Sequence, residues 1–286
     1  MVAAAEAMSM QQDEPMMWRA ELETMLDLVM WTLNGEETLE ESLSSIEKSV
    51  PEDQICHRFI IDGGSIDATT LVARQHGWSV LPGPRGIARQ GNLALSLVDT
   101  AVYASFEQDI IISANWFQKV SRLISEPGVA VAQGIRVAKG SATLAAMDRE
   151  NLLRTMRWGP SVSIDNTMYK TNVVRDVGGY RAFKERKGTD ALLHEKIHAA
   201  GYKWAIDTTC ISGHLRPSLA YHLRHCLRSY QLVLWQHEST GDHLRLCATS
   251  LVRGGMMASK YHDPQVFLGY PLFRWVALLG GLSGRV

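Results

Sequence analysis

The chain has 286 residues, of which 46% are hydrophobic and 21% are charged, and its formal net charge is −1. This length and composition suit one large soluble domain or a domain with an appendage. A charge so close to zero gives no overall attraction to nucleic acid, so we expect no nucleic-acid partner. The four cysteines form no C-x-x-C pair, which argues against a zinc ribbon or a disulfide scaffold and fits a reducing compartment.

The two ends of the chain carry no clear targeting signal. Residues 1–24 are rich in Ala and Met but lack a basic flank and a sustained apolar region, so we expect a flexible or helical leader rather than a signal peptide. The late apolar stretch Val266–Leu282 contains Pro271 and Arg274, which makes it a poor transmembrane span. These features predict a cytoplasmic protein.

The first half of the chain alternates strand and helix patterns. Apolar runs predict strands at 26–33, 55–61, 78–81 and 101–106, with a further apolar run at 110–112. Periodic apolar positions predict helices at 38–48, 67–76 and 86–98. This order predicts an α/β fold with a mostly parallel central sheet and helices on both faces.

The second half is less regular. Strands are predicted at 129–133, 166–170 and 202–206, and helices at 141–156 and 189–200. Beyond Pro217 the pattern is mainly helical and amphipathic. We therefore predict a leader at 1–24, a catalytic α/β domain at 25–215 and a helical C-terminal extension at 216–286.

Four polar motifs follow predicted strands or begin a predicted helix, where open α/β sheets bind ligands. They are Thr32-Leu-Asn-Gly-Glu-Glu37, Asp62-Gly-Gly-Ser-Ile-Asp67, Glu107-Gln-Asp109, and Gly178-Gly-Tyr180 followed by Thr189-Asp190. Glycines allow a backbone to approach a ligand closely. Paired carboxylates suit a divalent cation, although an isolated Glu-x-Asp such as Glu107-Gln-Asp109 is more often a solvated turn between strands.

Taken in order, the motifs resemble the family 2 glycosyltransferases of the GT-A fold over roughly residues 26–215. The family pattern has an N-E-E turn, a D-G-G-S-x-D loop, a D-x-D metal motif, and G-G-Y followed by E-D. Here Glu107 stands where the family has its first Asp, and Thr189 stands where it has Glu. The chain also lacks the Q-x-x-R-W signature of processive synthases, which argues against a polysaccharide synthase.

The resemblance implies a role for each matching residue. Asp190 would be the general base of an inverting transfer to an acceptor hydroxyl or phosphate, while Glu107, Asp109 and His214 would hold Mg²⁺ or Mn²⁺. Asp62 would bind the nucleobase of a UDP- or GDP-sugar. The residues implied in nucleotide-sugar binding are Thr32, Asn34, Glu36, Asp62, Gly63, Arg89 and Gln108.

Two other functions stay open at this point. The altered acidic motifs are also consistent with a non-catalytic module that binds a sugar nucleotide. In addition, His194-Glu-Lys-Ile-His198 matches the H-E-x-x-H zinc metalloprotease motif, in which both histidines share a helix face. The third histidine of the longer motif is absent, since Trp204 takes its place, and Leu193 and Ile197 are expected on the core face of the same helix.

The C-terminal segment suggests a second kind of contact. Its aromatic and aliphatic side chains are Phe267, Tyr270, Leu272, Phe273, Trp275 and Leu278, with Arg274 among them. Such a helix would lie in a membrane interface, or it would pack on the catalytic domain or on a second copy in a homo-oligomer. The resemblance implies a polyprenyl-phosphate-linked acceptor and peripheral attachment at the cytoplasmic face.

Overall fold

The computed structural model describes residues 25–158, 162–182, 188–216, 223, 227 and 240–283. The predicted leader, residues 1–24, lies outside them. The strands are β1 (Leu26–Thr32), β2 (Ile55–Asp62), β3 (Ser79–Pro82), β4 (Val102–Glu107), β5 (Ile110–Ile111), β6 (Val129–Lys139), β7 (Asn166–Lys170) and β8 (Lys203–Leu215).

The α-helices alternate with these strands and then follow them. They are α1 (Glu36–Ser49), α2 (Thr69–Gln75), α3 (Ile87–Leu97), α4 (Trp116–Ile124), α5 (Ala142–Trp158), α6 (Thr171–Asp176), α7 (Thr189–Ala199), α8 (Thr240–Ala248), α9 (Ser250–Tyr261) and α10 (Gln265–Ser283).

The strands form one eight-stranded sheet in the order β3-β2-β1-β4-β7-β6-β8-β5. The strands β3, β2, β1 and β4 are parallel to one another, as are β6 and β8. The antiparallel strand β7 joins these two parts, and β5 pairs antiparallel with β8 at the edge. The predicted α/β architecture is confirmed, and the parallel part carries the first three motifs at its strand ends.

The central strand β1 is buried along its whole length, because helices cover both faces of the sheet. Leu28 and Met30 pack with α1 and α4 on one face, whereas Val29 and Trp31 pack on the other, where α3 and α7 lie. A strand buried on both faces reads as a continuous apolar run, which is why β1 was predictable from its sequence.

Two features of the fold differ from the sequence pattern. The strands β6 and β8 extend to Lys139 and Leu215, well beyond their predicted ends, because they pair along most of their length with an irregular register between Gln133 and Ile135. The pattern also does not predict α4, whose buried residues Trp116 and Val120 recur at the spacing of a helix face.

The C-terminal helices pack as a separate cluster against α5. Buried Met257, Val266, Tyr270 and Phe273 contact residues of α5 there. Among the described residues, α10 is the helix long and apolar enough to cross a membrane by length and composition, but 56% of its most apolar window is buried inside the protein. Arg274 is 3% exposed, and its Nε donates to the hydroxyl of Tyr270 at 3.1 Å.

Candidate active site

Three parallel strands end together at one side of the sheet, which we call the carboxyl edge. In register, Thr32 lies beside Asp62 and Trp31 lies beside Glu107. The carboxyl ends of β1, β2 and β4 therefore meet, and the motifs that follow them share this edge. Open α/β sheets bind ligands at such an edge.

Asp62 organises the Asp62 loop, residues 62–68. Its Oδ1 accepts hydrogen bonds from Thr32 Oγ1 (3.0 Å) and Ser65 Oγ (2.5 Å), and its Oδ2 accepts from the backbone N–H groups of Gly64 (3.0 Å) and Ser65 (2.8 Å). A carboxylate has about four lone-pair sites, so these bonds use its acceptor capacity. Both side-chain oxygens of Asp62 are thus already paired within the loop.

Asn34 and Glu36 join the loop after β1 to the Asp62 loop. The backbone N–H of Asn34 donates to Ser65 Oγ at 2.8 Å, and Asn34 Oδ1 accepts from the N–H of Ile66 at 3.0 Å. Glu36 Oε2 accepts from the N–H of Ala68 at 2.8 Å. The two loops thus form one wall of the carboxyl edge, in which most polar groups are already paired.

Gln108 pairs with the backbone of Leu33 as a strand residue would. Its Oε1 accepts from the N–H of Leu33 at 2.9 Å, and its Nε2 donates to the carbonyl oxygen of Leu33 at 3.2 Å. A Cβ atom at Gly35 would lie 2.5 Å from this side chain. The structure therefore gives Gln108 a scaffold role that the resemblance did not imply.

A second glutamine, which the sequence patterns did not single out, holds the strand ends. Gln90 on α3 is 4% exposed, and its Nε2 donates to the carbonyl oxygens of Thr32 (3.0 Å) and Ile61 (2.8 Å). Gly63 fits beneath it, because an added Cβ would lie 3.3 Å from this Nε2 atom and 3.3 Å from the oxygen of Thr32. A buried amide within an apolar helix face is the signal that would have identified Gln90.

The arginine nearest to the Asp62 loop is not the one that the resemblance indicates. Arg89 is exposed on α3, whereas Arg85 precedes that helix and its Nε donates to the carbonyl oxygen of Gly63 at 3.3 Å. The role of Arg89 at a diphosphate stays a prediction, and Arg85 is a second cation on the same side.

Asp109 and His214 form a close pair at the end of β4. Because β5 and β8 are antiparallel neighbours, His214 lies opposite Ile110, and its Nε2 donates to Asp109 Oδ2 at 2.9 Å while its Nδ1 accepts from Arg216 Nη2 at 3.2 Å. Burial acts to raise the pKa of Asp109, but the bond from His214 and the charge of Arg216 bring it below its usual value. The carboxylate is therefore ionised and sits beside an imidazole.

Glu107 has the opposite electrostatic environment. It is half-buried, and Trp31 Nε1 approaches its Oε1 at 3.5 Å. Burial, and then the nearby carboxylates of Asp165 and Asp109, raise the pKa of Glu107 to about 8, although Arg136 opposes this shift. At neutral pH this side chain carries a proton unless a cation comes close.

Arg136 and Asp165 form an ion pair beside Glu107 in which the carboxylate is buried and the guanidinium is partly exposed, and the sequence patterns did not predict it. Asp165 is 2% exposed and accepts from Arg136 Nη1. Burial acts to lower the pKa of Arg136, but the carboxylates of Asp165, Glu107 and Asp190 raise it, so the guanidinium stays charged. A charged residue inside the small and apolar run of β6 was the available signal.

Asp190 lies at the start of α7, close enough to Arg136 and Asp165 for their charges to affect its pKa. Its Oδ1 accepts from the N–H of Ala191 at 2.8 Å. Burial is the main cause that raises the pKa of Asp190, and Asp165 adds to it, while the bond from Ala191 and the charge of Arg136 act against it. We call Glu107, Asp109, Asp165 and Asp190, grouped around Arg136, the acid cluster.

Neither group of predicted metal ligands forms a tight triad. Among the described residues, the three-residue group whose ligand atoms all lie within 4.8 Å of one another is Asp27, Cys56 and His57, at the opposite edge of the sheet. Glu107, Asp109 and His214 do not meet in this way. The motif residues His194 and His198 have ring centroids 6.4 Å apart, and His194 packs edge-on against Trp204 at 5.7 Å.

The Gly178-Gly179-Tyr180 motif anchors the segment before α7. Gly178 and Gly179 have positive φ angles of 79° and 63°, which glycine adopts at little cost. Tyr180 is buried, and its hydroxyl is 2.8 Å from that of Tyr103. Asn92 fixes the turn through two hydrogen bonds of 2.8 Å with the backbone of Tyr180. This motif supports the site rather than lining it.

Comparisons with known proteins agree on the fold. The sequence profile of Glycosyl transferase family 2 matches residues 27–187. The mannosyltransferase PcManGT from Pyrobaculum calidifontis, solved with GDP-Man and Mn²⁺, is 14% identical with a TM-score of 0.65, covering 92% of this chain and 88% of that chain. No curated protein sequence matches the chain.

A second solved structure extends this comparison. Glucosyl-3-phosphoglycerate synthase from Mycobacterium tuberculosis, in complex with Mn²⁺, UDP and glucosyl-3-phosphoglycerate, is 14% identical with a TM-score of 0.53, covering 75% of this chain and 79% of that chain. At these identities the likeness concerns the fold, and it confirms the predicted GT-A architecture. Because the family profile spans more than half of its length, the chain belongs to glycosyl transferase family 2.

Proposed function

We propose that this glycosyltransferase uses a divalent cation and a UDP- or GDP-sugar, with Asp190 as the general base of an inverting transfer. The observation that carries the proposal is the acid cluster at the carboxyl edge. There the pKa of Asp109 is lowered, so its carboxylate is ionised, while the pKa of Asp190 is raised. Carboxyl groups pushed to different pKa values are typical of paired catalytic roles. The donors bound by PcManGT and by the mycobacterial synthase support the nucleotide-sugar class.

The residues present fit Mn²⁺ or Mg²⁺. Asp109 Oδ2 and His214 Nε2 are 2.9 Å apart, which matches neighbouring ligand positions around an octahedral ion with bonds of about 2.1 Å. Burial first, and the nearby carboxylates of Asp165 and Asp109 second, raise the pKa of Glu107, and a cation would favour its ionised form. Asp109 and His214 would hold the ion, with Glu107 nearby, and the bound ion would offset the charge that develops on the leaving diphosphate. To ligate through Nε2, His214 would carry its hydrogen on Nδ1, so Arg216 would give up its bond to that nitrogen.

The environment of Asp190 suits proton abstraction from an acceptor hydroxyl. Its raised pKa makes the carboxylate a stronger base at neutral pH. Asp190 Oδ1 accepts from the N–H of Ala191, and the other oxygen would take the proton of the acceptor hydroxyl. An attack by the deprotonated hydroxyl opposite the diphosphate would invert the anomeric centre.

The donor would lie along the wall formed by the two loops at the carboxyl edge. Thr32, Asn34 and Glu36 come from the loop after β1, and Asp62 and Gly63 come from the loop after β2. We propose that Arg89, together with Arg85, lies toward the diphosphate, and that Gln108 contributes by fixing the backbone of Leu33.

Release of the nucleoside diphosphate with Mn²⁺ tests this function, with UDP-Glc and GDP-Man as donors and with phosphoglyceric acid and a polyprenyl phosphate as acceptors. Asp190→Asn should lower the rate by about 10²–10⁴-fold, whereas the exposed Asp53→Asn control should leave it unchanged. Equal rates in the wild type and Asp190→Asn would remove the assigned base. Nucleotide binding without release in the wild type would favour the non-catalytic module.

We also propose that the extension, residues 216–286, attaches the catalytic domain, residues 25–215, to the cytoplasmic face of a membrane. The solvent-facing stripe of α10 consists of Leu268, Leu272, Trp275, Leu279 and Leu282, all at least 42% exposed. These positions recur every three or four residues, so they form one helix face. Since the other face of α10 is packed inside the protein, the helix would lie in the interface rather than cross it.

Vesicle flotation tests the attachment, using vesicles of mixed neutral and anionic phospholipids. The double variant Leu272→Glu/Leu279→Glu should abolish flotation, whereas Leu71→Glu, at a leucine on α2 that is 57% exposed, should retain it. A wild-type protein that stays in the soluble fraction and elutes as a dimer would instead make the stripe an interface between copies. Flotation of the wild-type protein would favour the hypothesis that the acceptor is membrane-bound, such as a polyprenyl-phosphate-linked glycan.

A further inference from the structure

A bulge at the amino edge of the sheet gathers three side chains that are distant from the acid cluster. Between Leu26 and Leu28 the pairing advances by two residues on β1 and by three on β2, so Asp27 faces both Cys56 and His57. Neighbouring strand residues normally point to opposite faces of a sheet, but a bulge redirects one of them. Cys56 Sγ accordingly lies 3.9 Å from His57 Nε2.

The buried carboxylate of Asp27 fixes the tautomer and the orientation of this histidine. Asp27 has no exposed surface, and its Oδ1 lies 2.9 Å from His57 Nδ1. Its Oδ2 accepts from the backbone N–H groups of Asp99 (2.7 Å) and Thr100 (3.2 Å). Because the carboxylate can only accept, the hydrogen of a neutral His57 lies on Nδ1, and the lone pair of Nε2 faces the thiol.

The arrangement suits proton transfer better than metal binding. Both oxygens of Asp27 are engaged in hydrogen bonds, so Cys56 Sγ and His57 Nε2 are the ligand atoms that remain available. Zinc sites in proteins use three or four protein ligands. A thiol beside a base that a third group orients is instead the arrangement of an activated nucleophile.

We propose that Cys56 is a nucleophilic thiol and a site of modification by peroxides, activated by His57 and Asp27. The thiol proton passes to His57 Nε2, and the thiolate sulfur attacks one oxygen of hydrogen peroxide. The S–O bond forms as the O–O bond breaks, so the sulfur is oxidised to a sulfenic acid and the peroxide is reduced. The leaving hydroxide takes the proton from the imidazolium and departs as water.

Exposure separates Cys56 from the other described cysteines. Cys56 is exposed, and the side chain of His57 is 45% exposed, so a small reagent reaches both. Cys210 and Cys247 are buried. Burial raises the pKa of Cys210 to about 11 and also raises that of Cys247, so their thiols stay protonated at neutral pH and are the internal controls.

Two labels followed by peptide mass spectrometry test the proposal on the full chain at neutral pH. Iodoacetamide measures thiolate reactivity, and dimedone after hydrogen peroxide traps the sulfenic acid. In the wild type, both labels should appear at Cys56 and neither at Cys210 or Cys247. His57→Asn should slow labelling of Cys56 by about tenfold or more, because the thiol loses its base while the new amide N–H group can still donate to the buried carboxylate of Asp27.

Matched variants separate the mechanism from local disruption. Arg58→Ala, on the same strand, should retain the wild-type rate, whereas Asp27→Asn should slow it if that protein remains folded. Equal labelling of Cys56 in the wild type and His57→Asn would overturn the proposal. Labelling of wild-type Cys56 only after treatment with EDTA would also overturn it, since the cluster would then be holding a metal ion.

Discussion

The acidic side chains of the Asp62 loop and those of the acid cluster have different electrostatic environments, although both groups lie at the carboxyl edge. In the Asp62 loop, Asp62 accepts hydrogen bonds on both oxygens. Burial acts to raise the pKa of Asp67 in the same loop, but hydrogen bonds from Thr69 and from the N–H of Glu36 bring this pKa below its usual value. In the acid cluster, burial and neighbouring carboxylates raise the pKa values of Glu107 and Asp190.

This difference indicates a structural role for the acids of the Asp62 loop and a functional role for those of the acid cluster. The bonds within the Asp62 loop stabilise one conformation, so substitutions there should cost stability. The raised pKa values of Glu107 and Asp190 show that burial and neighbouring carboxylates outweigh the positive charge around these two groups, and a bound cation would supply more. Substitutions of these acids should therefore cost activity more than stability, as is common where function opposes stability.

The largest effect on stability is expected from breaking the central ion pair. Arg136→Leu leaves the carboxylate of Asp165, which is 2% exposed, without its partner. Loss of one member of a fully buried pair costs about 3–5 kcal/mol. Because the Arg136 side chain is 36% exposed, we expect about 3 kcal/mol, measured as the free energy of unfolding in urea. The double variant Arg136→Leu/Asp165→Asn should recover part of this loss, and a double variant no more stable than the single one would argue against the pair.

Asp62→Asn should have the next largest effect. The amide oxygen can keep the bonds from the N–H groups of Gly64 and Ser65, but its NH2 group then replaces the oxygen that accepts from the hydroxyls of Thr32 and Ser65. We expect the loss of these bonds to lower the free energy of unfolding by about 1–3 kcal/mol. Asp53→Asn, at an exposed position, is the control. If both variants unfold at the same urea concentration, Asp62 does not organise the loop.

Glu107 should make stability depend on pH in the metal-free protein. Its pKa is raised from 4.5 to about 8, so between these values the unfolded chain is ionised while the folded chain keeps the proton, and stability falls as pH rises. Glu107→Gln should therefore gain about 1–2 kcal/mol on the wild type between about pH 5 and about pH 8, since solvent screens this half-buried group. If the free energies of unfolding of the wild type and Glu107→Gln, measured in EDTA, differ by the same amount at every pH, the environment assigned to Glu107 is contradicted.

The smallest effect is expected at Gln108, because its bonds to Leu33 are near the surface. Gln108→Leu should lower the midpoint of thermal unfolding by an amount equivalent to about 1 kcal/mol, whereas Gln75→Leu, at the exposed end of α2, should not. A scaffold role also predicts that this loss is the same with and without a bound nucleotide. A loss seen only with nucleotide present would make Gln108 a ligand contact.

The sequence predicted the parts of this molecule that depend on local pattern. The strand β1 is buried on both faces, so its apolar run was sufficient, and the motifs at the ends of β1, β2 and β4 lie together because parallel strands share an edge. Arg136 and Asp165 were missed because their pairing joins β6 to the segment before β7. Nothing in either local sequence indicates which distant charge will neutralise it.

The bulge beside Asp27 shows the same limit. Alternation along β2 would place Cys56 and His57 on opposite faces, and their approach to 3.9 Å depends on the register between two strands. The expectation for Gln108 also needed the structure, because its amide pairs with Leu33, which is 75 positions away in the chain.

Thermal unfolding with UDP and GDP, each with and without Mn²⁺, tests the central claim most directly. A ligand at 100 times its Kd stabilises a folded protein by about 2.7 kcal/mol. The account predicts that one nucleotide raises the midpoint only when Mn²⁺ is present, that Asp109→Asn abolishes this shift, and that Asp190→Asn retains it. A shift that survives in Asp109→Asn, or no shift with either nucleotide in the wild type, would contradict it.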